Sequence, residues 1–270
     1  MPSAVITQAD HVCVVQLTDS HLHADSSADL LGVDTHESLQ AVIDLVLDEL
    51  PTIDLVLATG DIAQDGSAAA YQRFVEAMQR LPAPCHWIAG NHDNAALMKQ
   101  LQQASDFNRA WVDAGNWRIV LLDSNIPGAV AGHLGAAEMA SLERALTGAG
   151  DRFVMVCLHH HPVSIGCGWM QSLGLLNAAE LLSRLEDDPR VRVVLWGHIH
   201  QHFDQQRGGL RLLASPSTCI QFAPNSEDFA TDEQAPGYRW LRLYDDGRIE
   251  TAISRLAQGR FLPDPGATGY

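Results

Sequence analysis

Basic residues are scarce in this 270-residue chain: 17 Lys and Arg stand against 33 Asp and Glu, a formal net charge of −16 at pH 7. Phosphate backbones are held by clustered Lys and Arg, so the charge excludes a broad nucleic-acid surface, and long polynucleotides are expected to be poor partners. Cysteine is scarce as well. Cys13, Cys85, Cys157, Cys167 and Cys219 form an odd, scattered set with no two at a zinc-ribbon or redox spacing, and they read as reduced, mostly buried thiols. No stretch reaches the ~18 uninterrupted apolar residues of a membrane helix, so no membrane span is expected. The first eight residues contain no Lys or Arg and no long apolar run, which speaks against a secretory signal and sets the expectation of a cytoplasmic location. Linkers, internal repeats and low-complexity stretches are also missing. Hydrophobic residues at 46% and charged residues at 19% are ordinary globular usage. A single domain over 1–270 is therefore expected.

What is present is one theme repeated along the chain. Short, strongly apolar, β-branched runs at 12–18, 55–59, 86–89, 153–158 and 191–196 each end in polar, metal-capable residues. Such runs fit strands buried on both faces. Helical patterns lie between them: 35–50 carries Leu39, Val42, Ile43, Val46 and Leu50 on one face, with Asp34 and Glu37 at capping-box spacing. The others are at 67–80, 94–103, 136–146 and 177–186. A further apolar run at 117–123 reads as a strand followed by Asp123-Ser124-Asn125. Alternating strands and helices predict an α/β architecture with much parallel pairing. After residue 200 the pattern changes to short strands at 210–214, 238–244 and 248–254, joined by turns such as Asp246-Gly247. These predict a second, more antiparallel sheet, so that two sheets form a sandwich flanked by helices. The tail after Gly259 reads as a surface strap.

The polar clusters at the strand ends are Asp19-Ser20-His21, Gly60-Asp61, Gly90-Asn91-His92-Asp93, His159-His160-His161-Pro162 and Gly197-His198-Ile199-His200. Ligands of open α/β sheets bind at the carboxyl ends of the strands, so the five clusters describe one site. Glycine before the functional residue in three of them lets the chain turn sharply off the strand. Carboxylate, amide and imidazole without thiolate suit manganese, iron or zinc. There are too many donors for one ion. Two ions roughly 3.5–4 Å apart, sharing a bridging carboxylate, are the arrangement of many phosphoryl-transfer hydrolases.

In order and spacing these clusters resemble the five-part signature of the calcineurin-like metallophosphoesterases: Asp-x-His, Gly-Asp, Gly-Asn-His-Asp/Glu, His-x-Pro and Gly-His-x-His. The segments Leu31-Gly32-Val33-Asp34-Thr35, Gln64-Asp65-Gly66-Ser67, Gly166-Cys167-Gly168-Trp169 and Ser215-Pro216-Ser217-Thr218-Cys219 extend the resemblance to the bacterial class III cyclic-nucleotide phosphodiesterases, over nearly the whole chain. The family implies a four-layer α-β-β-α sandwich of two mixed sheets, with the dinuclear site at the C-terminal strand ends, metal-ligand motifs within 19–200 and C-terminal strands and strap over 209–270. Carried over by position, it puts Asp19, His21, Asp61 and His200 on one metal, and Asp61, Asn91, His160 and His198 on the other, with Asp61 as the bridge. The choice of His160 rests on the His-x-Pro spacing to Pro162. The same resemblance puts His21, Asp61, Asn91, His92 and His200 at the substrate phosphate. His92 is then the catalytic group, which hydrogen-bonds a phosphoryl oxygen or protonates the leaving oxygen, oriented by Asp61 or Asp93.

The implied reaction is hydrolysis of 3',5'-cyclic AMP to 5'-AMP by a water activated between two divalent ions, iron and/or manganese, with zinc or magnesium as alternatives. The cellular consequence would be a lower cyclic AMP level and a change in the regulation that depends on it. The competing enzymatic reading is a broader phosphodiesterase or phosphomonoesterase, because fold and metals do not choose the substrate. The Gly-Asp-x-Val-Asp-Arg-Gly stretch of the protein phosphatases is absent: here it reads Gly60-Asp61-Ile62-Ala63-Gln64-Asp65-Gly66. A non-catalytic scaffold should have lost a ligand, and no ligand position is altered. His159 and His161 read as supporting or packing residues, His23 and His202 as polar surface, and Asp93 as a supporting carboxylate. Trp169 and Met170 lie in a glycine-containing loop, within 163–176, that could stack on the base or simply pack.

Overall fold

The computed structural model describes residues 10–101 and 109–266. The strands are β1 (His11–Leu17), β2 (Asp29–Leu30), β3 (Val33–Asp34), β4 (Leu55–Thr59), β5 (Cys85–Ile88), β6 (Trp111–Ala114), β7 (Trp117–Leu121) and β8 (Phe153–Cys157). They continue as β9 (Val191–Trp196), β10 (Phe203–Arg207), β11 (Leu210–Ala214), β12 (Gln221–Phe222), β13 (Thr231–Asp232), β14 (Gly237–Tyr244) and β15 (Ile249–Arg255). The helices are α1 (Thr35–Glu49), α2 (Ala68–Met78), α3 (Ala95–Leu101), α4 (Ala136–Thr147) and α5 (Ala178–Glu186).

Two mixed sheets carry the fold, with strand orders β15-β14-β1-β4-β5 and β10-β11-β9-β8-β7-β6. The pairs β1·β4, β4·β5, β7·β8, β8·β9 and β9·β11 are parallel, and β1·β14, β14·β15, β10·β11 and β6·β7 are antiparallel. Alternate side chains of one strand serve two different cores. On β1, Val12 and Val14 pack between the sheets with Leu55, Leu57, Ile119, Met155, Val193 and Leu195, whereas Val15 and Leu17 pack outward against α1 and α2. The second sheet likewise packs Val194 and Trp196 outward against α4 and α5. Three apolar layers thus separate four structural layers, helices outside and sheets inside. This is the expected α-β-β-α sandwich, and it explains strands with no polar face.

One expectation needs correction. The strands expected at 210–214, 238–244 and 248–254 form no sheet of their own: β11, with β10, extends the sheet of β9, while β14 and β15 extend the sheet of β1, and the two-residue β12 and β13 pair separately. A strand's partner is set by which edge its apolar face can cover, and that is not a local property. The helix expected at 94–103 is seen as Ala95–Leu101, its last two residues lying outside the described range. The cap expected at Asp34 is present, since Asp34 accepts from the amide of Glu37, and Ser67 caps α2 in the same way by accepting from that of Ala70. Of the tail, 260–266 lies along the surface with the Asp264 amide bonded to Leu31 O at 2.7 Å, and 267–270 fall outside the described residues.

Candidate metal centre

All five clusters sit at carboxyl ends of parallel strands, three on one sheet (β1, β4, β5) and two on the other (β8, β9), so the centre bridges the mouth of the sandwich. Five of the expected ligands depart from the strands in left-handed backbone conformation: Asp19 (φ 54°), His21 (φ 45°), Asp61 (φ 48°), His198 (φ 68°) and His200 (φ 49°). Such conformations cost non-glycine residues of order 1–3 kcal/mol each and persist only where the surroundings impose them. Here the surroundings do. The amides of Asp19 and His21 bond to the carbonyls of Gly60 and Asp61, which lock the first two clusters together. Asp19 Oδ1 and Oδ2 accept the His198 amide at 3.0 and 3.1 Å and tie one sheet to the other. Gly60 (φ 93°) and Gly90 are needed for closeness, because a Cβ would strike the His159 ring at the first and the Asp61 carboxylate at the second.

The imidazoles share one design. His21 Nδ1 bonds Gln64 Oε1 (2.6 Å), His159 Nδ1 bonds Thr59 O (2.8 Å), His198 Nε2 bonds Leu173 O (3.0 Å) and His200 Nδ1 bonds Ile220 O (2.9 Å). Each acceptor is an oxygen, so each ring donates an N–H there and turns its other nitrogen toward the centre, the arrangement that orients histidine ligands in metal sites. His21 Nε2 and His200 Nε2 lie 3.1 Å apart, and His200 Nε2 lies 3.4 Å from Asp19 Oδ1. Asp61 Oδ2, buried and with no hydrogen-bond partner among the described residues, faces His159 Nε2 at 3.2 Å and His21 Nε2 at 3.9 Å. His159 Nε2 is also 3.2 Å from Asn91 Oδ1. The ligand atoms of Asp19, His21 and His200 lie within 4.8 Å of one another, as do those of His21, Asp61 and His92 and those of Asp19, Asp61 and His159. Lone pairs and carboxylates converging in a buried space require cations. The donor set fits a pair of divalent ions.

Electrostatics agree. Burial drives the His21 pKa down to about 3, and burial together with His160 and His159 holds His198 well below its ordinary value, so both are neutral and able to ligate. For His159 burial again favours the neutral ring, but the adjacent Asp61 charge overcomes it and raises the pKa to about 9. Asp61 in turn, although buried, is held well below the usual carboxylate range by His159, His92 and His21. In the metal-free protein a proton on His159 thus supplies positive charge that a metal would replace.

At the histidine triplet the three rings have different surroundings. His160 has both nitrogens engaged, Nδ1 with Ser124 Oγ (2.8 Å) and Nε2 with Val130 O (2.9 Å). Although it lies within 4.8 Å of His159 and His198, its ring keeps no lone pair for the centre. His159, the second residue past β8, instead turns Nε2 toward Asp61 and Asn91. His161 stacks on His198 (5.6 Å, 17°). Asp93 is a staple: it accepts the amides of Ile62, Ala63 and Gly90 and the Tyr71 hydroxyl, and burial with the nearby Asp61 charge pushes it up to about 7. His92 has its amide on Asp61 Oδ1 (2.9 Å) and its ring edge-on to His21 at 4.9 Å. His202 is exposed, and His23 is half-buried.

Several supporting residues carry no motif. Ser124, after β7, holds His160. Beneath the centre Arg239, fully buried, donates to Ser215 Oγ, Thr251 Oγ1 and the carbonyls of Phe203 and Ala214, and burial lowers its pKa to about 10. Ser215 donates to Gln16, whose amide donates to Thr59 Oγ1 and Trp196 O, the last residues of β4 and β9. Thr59 O also accepts from His159, so a buried network spanning both sheets ends on a residue of the centre. Only the Ser215 segment was visible beforehand, as part of the family resemblance.

Asn91, His92 and His198 also line a cavity of about 420 Å³, within the roughly 300–1,000 Å³ range of small-molecule sites. Its remaining lining is apolar.

Comparison with known proteins matches residues 14–202 to the calcineurin-like phosphoesterase family model. The chain is 55% identical to the 3',5'-cyclic adenosine monophosphate phosphodiesterase CpdA of Pseudomonas aeruginosa over 259 residues, covering 96% of this chain and 95% of that protein. It is 45% identical to the protein of the same name from Escherichia coli K12 over 262 residues, with the same coverage. Among solved structures, a dimetal phosphatase from Danio rerio has a similar fold, with TM-score 0.62, 16% identity and coverage of 91% of this chain and 99% of that one. Motifs, fold and full-length similarity converge: the chain belongs to the calcineurin-like phosphoesterase family, in its branch of bacterial cyclic-nucleotide phosphodiesterases.

Proposed function

We propose that the protein hydrolyses 3',5'-cyclic AMP to 5'-AMP. Two divalent ions would be held by Asp19, His21, Asp61 and His200 on one side and by Asp61, Asn91, His159 and His198 on the other, His159 replacing His160 in the set expected from sequence. The observation that carries the reading is the convergence of outward-anchored imidazoles on two buried carboxylates, His159 and His21 on Asp61 Oδ2 and His200 on Asp19 Oδ1, beside a cavity of small-molecule size. When bound, the ions supply a nucleophilic water near neutral pH and offset the charge of the phosphodiester. A donor set of oxygen and imidazole suits iron or manganese, with zinc or magnesium as the other candidates.

The chain's own residues do the rest. The outward N–H bonds hold each ring in one tautomer and orientation. Asp61 spans the two half-sites and fixes the His92 amide, so the turn carrying His92 is registered to the centre. His92, half-buried in the cavity lining, gives a proton to the ribose 3' oxygen as the P–O3' bond breaks, a contribution of roughly 10²–10⁴-fold for a general acid. Asn91 and His198 border the same cavity, where the phosphate would sit together with His21, Asp61 and His200.

The unit is one domain over 1–270, acting in the cytoplasm, where the five buried free thiols would be stable. There it would lower cyclic AMP and alter the regulation that depends on it. The charge of −16 is consistent with a small nucleotide rather than nucleic acid as partner.

The test is a substrate profile of manganese- or iron-loaded protein against cyclic AMP, cyclic GMP, 2',3'-cyclic nucleotides, aryl phosphodiesters and a phosphomonoester. Cyclic AMP is expected to have the highest kcat/KM, with 5'-AMP as product. Turnover confined to aryl esters or the monoester would sink the assignment.

A further inference from the structure

The cavity beside the centre has a lining of two kinds. Asn91, His92 and His198 are polar and belong to the clusters of the centre; Trp169, Met170 and Phe229, with the short loop 128–130, are apolar. A ligand suited to both carries an anionic group for the first and a flat apolar body for the second. A purine nucleotide has that shape.

The aromatic surface is fixed before any ligand arrives. The Trp169 indole donates to Ser226 Oγ at 3.3 Å, and its ring meets Phe222 (5.1 Å, 81°) and Phe229 (5.2 Å, 72°) edge to face. The Gly168 amide bonds Ser226 O at 2.9 Å, so the loop before Trp169 is pinned to the loop that carries Ser226 and Phe229. Phe222 stacks on the ring of His200 at 4.1 Å and 12°. Leu173 lines the cavity with its side chain, and its carbonyl takes the His198 N–H. The apolar lining and the metal ligands are therefore one packed unit, and the distance from ring to phosphate is set by the fold. Such preorganisation lowers the entropy cost of binding.

We propose that Trp169, with Met170 and Phe229, is the seat of the base and determines specificity for adenine. This rests on the cyclic AMP reading and deepens it. Base stacking on aromatic rings needs no hydrogen bonds and is sequence-tolerant by itself. Discrimination comes from polarity: the indole N–H is already spent on Ser226, and the other side chains of this apolar lining offer no strong donor or acceptor. Guanine, with its 2-amino and 6-oxo groups, loses more hydration there without replacement than adenine does, and a buried polar group left unpaired is costly. Adenine is preferred because it is the less polar purine.

The experiment compares kcat and KM of wild type, Trp169→Ala and Trp169→Phe holoenzymes on cyclic AMP, cyclic GMP and a base-free ester, methyl ribofuranoside 3',5'-cyclic phosphate. Wild type is expected to favour cyclic AMP over both others. Trp169→Ala should raise the cyclic AMP KM roughly ten- to a hundredfold, shrinking its advantage over the base-free ester by the same factor, with metal content retained. Trp169→Phe keeps a ring and should fall between; it also carries the test if the alanine variant fails to fold. Equal losses on cyclic AMP and the base-free ester, in a wild type that prefers cyclic AMP, would overturn the seat alone. Wild type that cleaves the base-free ester but not cyclic AMP would sink the cyclic AMP reading itself, and the seat with it.

Discussion

The two halves of the centre use similar side chains in different settings. Asp19, His21 and His200 are wholly buried, their rings anchored by Gln64 and Ile220. Asn91 is half-buried, and with His198 it borders the cavity. His159 of the second half is buried as deeply, so the difference lies at Asn91 and His198, which border the cavity. Asp61 belongs to both, and His92 stands at the boundary, edge-on to His21 yet lining the cavity. The difference teaches that burial and orientation alone serve the first half, whereas on the proposed reading a substrate would enter past Asn91, His92 and His198 before its phosphate met both halves.

Breaking the residue common to both halves has the largest expected effect. Removal of a group that merely supports a ligand costs 10–100-fold, so Asp61→Ala should lose more than about a hundredfold in turnover and lose metal from both halves. His92→Ala should lose roughly 10²–10⁴-fold in kcat while keeping both ions. Elemental analysis beside kinetics separates them, and equal metal loss in the two variants would contradict their separate roles.

A sharper and smaller contrast lies within the triplet. His159→Ala should reduce metal content to one ion per chain with a large loss of activity. His160→Ala should keep two ions and lose less, because it removes contacts to Ser124 and Val130 rather than a lone pair aimed at the centre. If His160→Ala lost an ion and His159→Ala did not, the assignment made from sequence spacing would return.

The smallest effect is in the pH dependence of the chelated protein's stability. His21 and His160, at about 3, and His161, at about 4, lie below the ordinary 6.5 because burial favours their neutral forms. The unfolded chain therefore binds more protons below pH 6.5, and stability should fall as pH drops from about 6.5 toward 4. His159, raised to about 9, acts in the opposite sense: its contribution is complete below 6.5 and is lost as pH rises through 9. Denaturant melts at several pH values should show a maximum between these limits, and restored metal should remove the alkaline decline by replacing the proton on His159. A flat profile would mean that the rings are not buried neutral.

Much of this was legible in the sequence because ligand residues follow apolar runs directly, and a strand's end is a local property. The strands β1, β4, β5, β8 and β9 and all five helices could be read from their patterns. The short edge strand β6 and the exposed β10 could not, because Phe203-Asp204-Gln205-Gln206-Arg207 has no apolar period. Gln64 was noticed only as part of a family segment, and Ser124 only as a turn or a sixth strand end near the site. Arg239 escaped altogether, since its value lies in reaching Ser215, Phe203 and Thr251 across two sheets.

The sequence by itself determined the donor chemistry, the order of the clusters and the layers that bury apolar runs on both faces. Those depend on residue type and short-range spacing. Only the tertiary structure decided the surroundings of each histidine of the three, how the last strands divide between two sheets, and that Trp169 lines the same cavity as Asn91. Each of these depends on which distant groups occupy a neighbouring space, and a carbonyl such as Thr59 O or Val130 O, which settles the fate of a ring, has no signature in sequence.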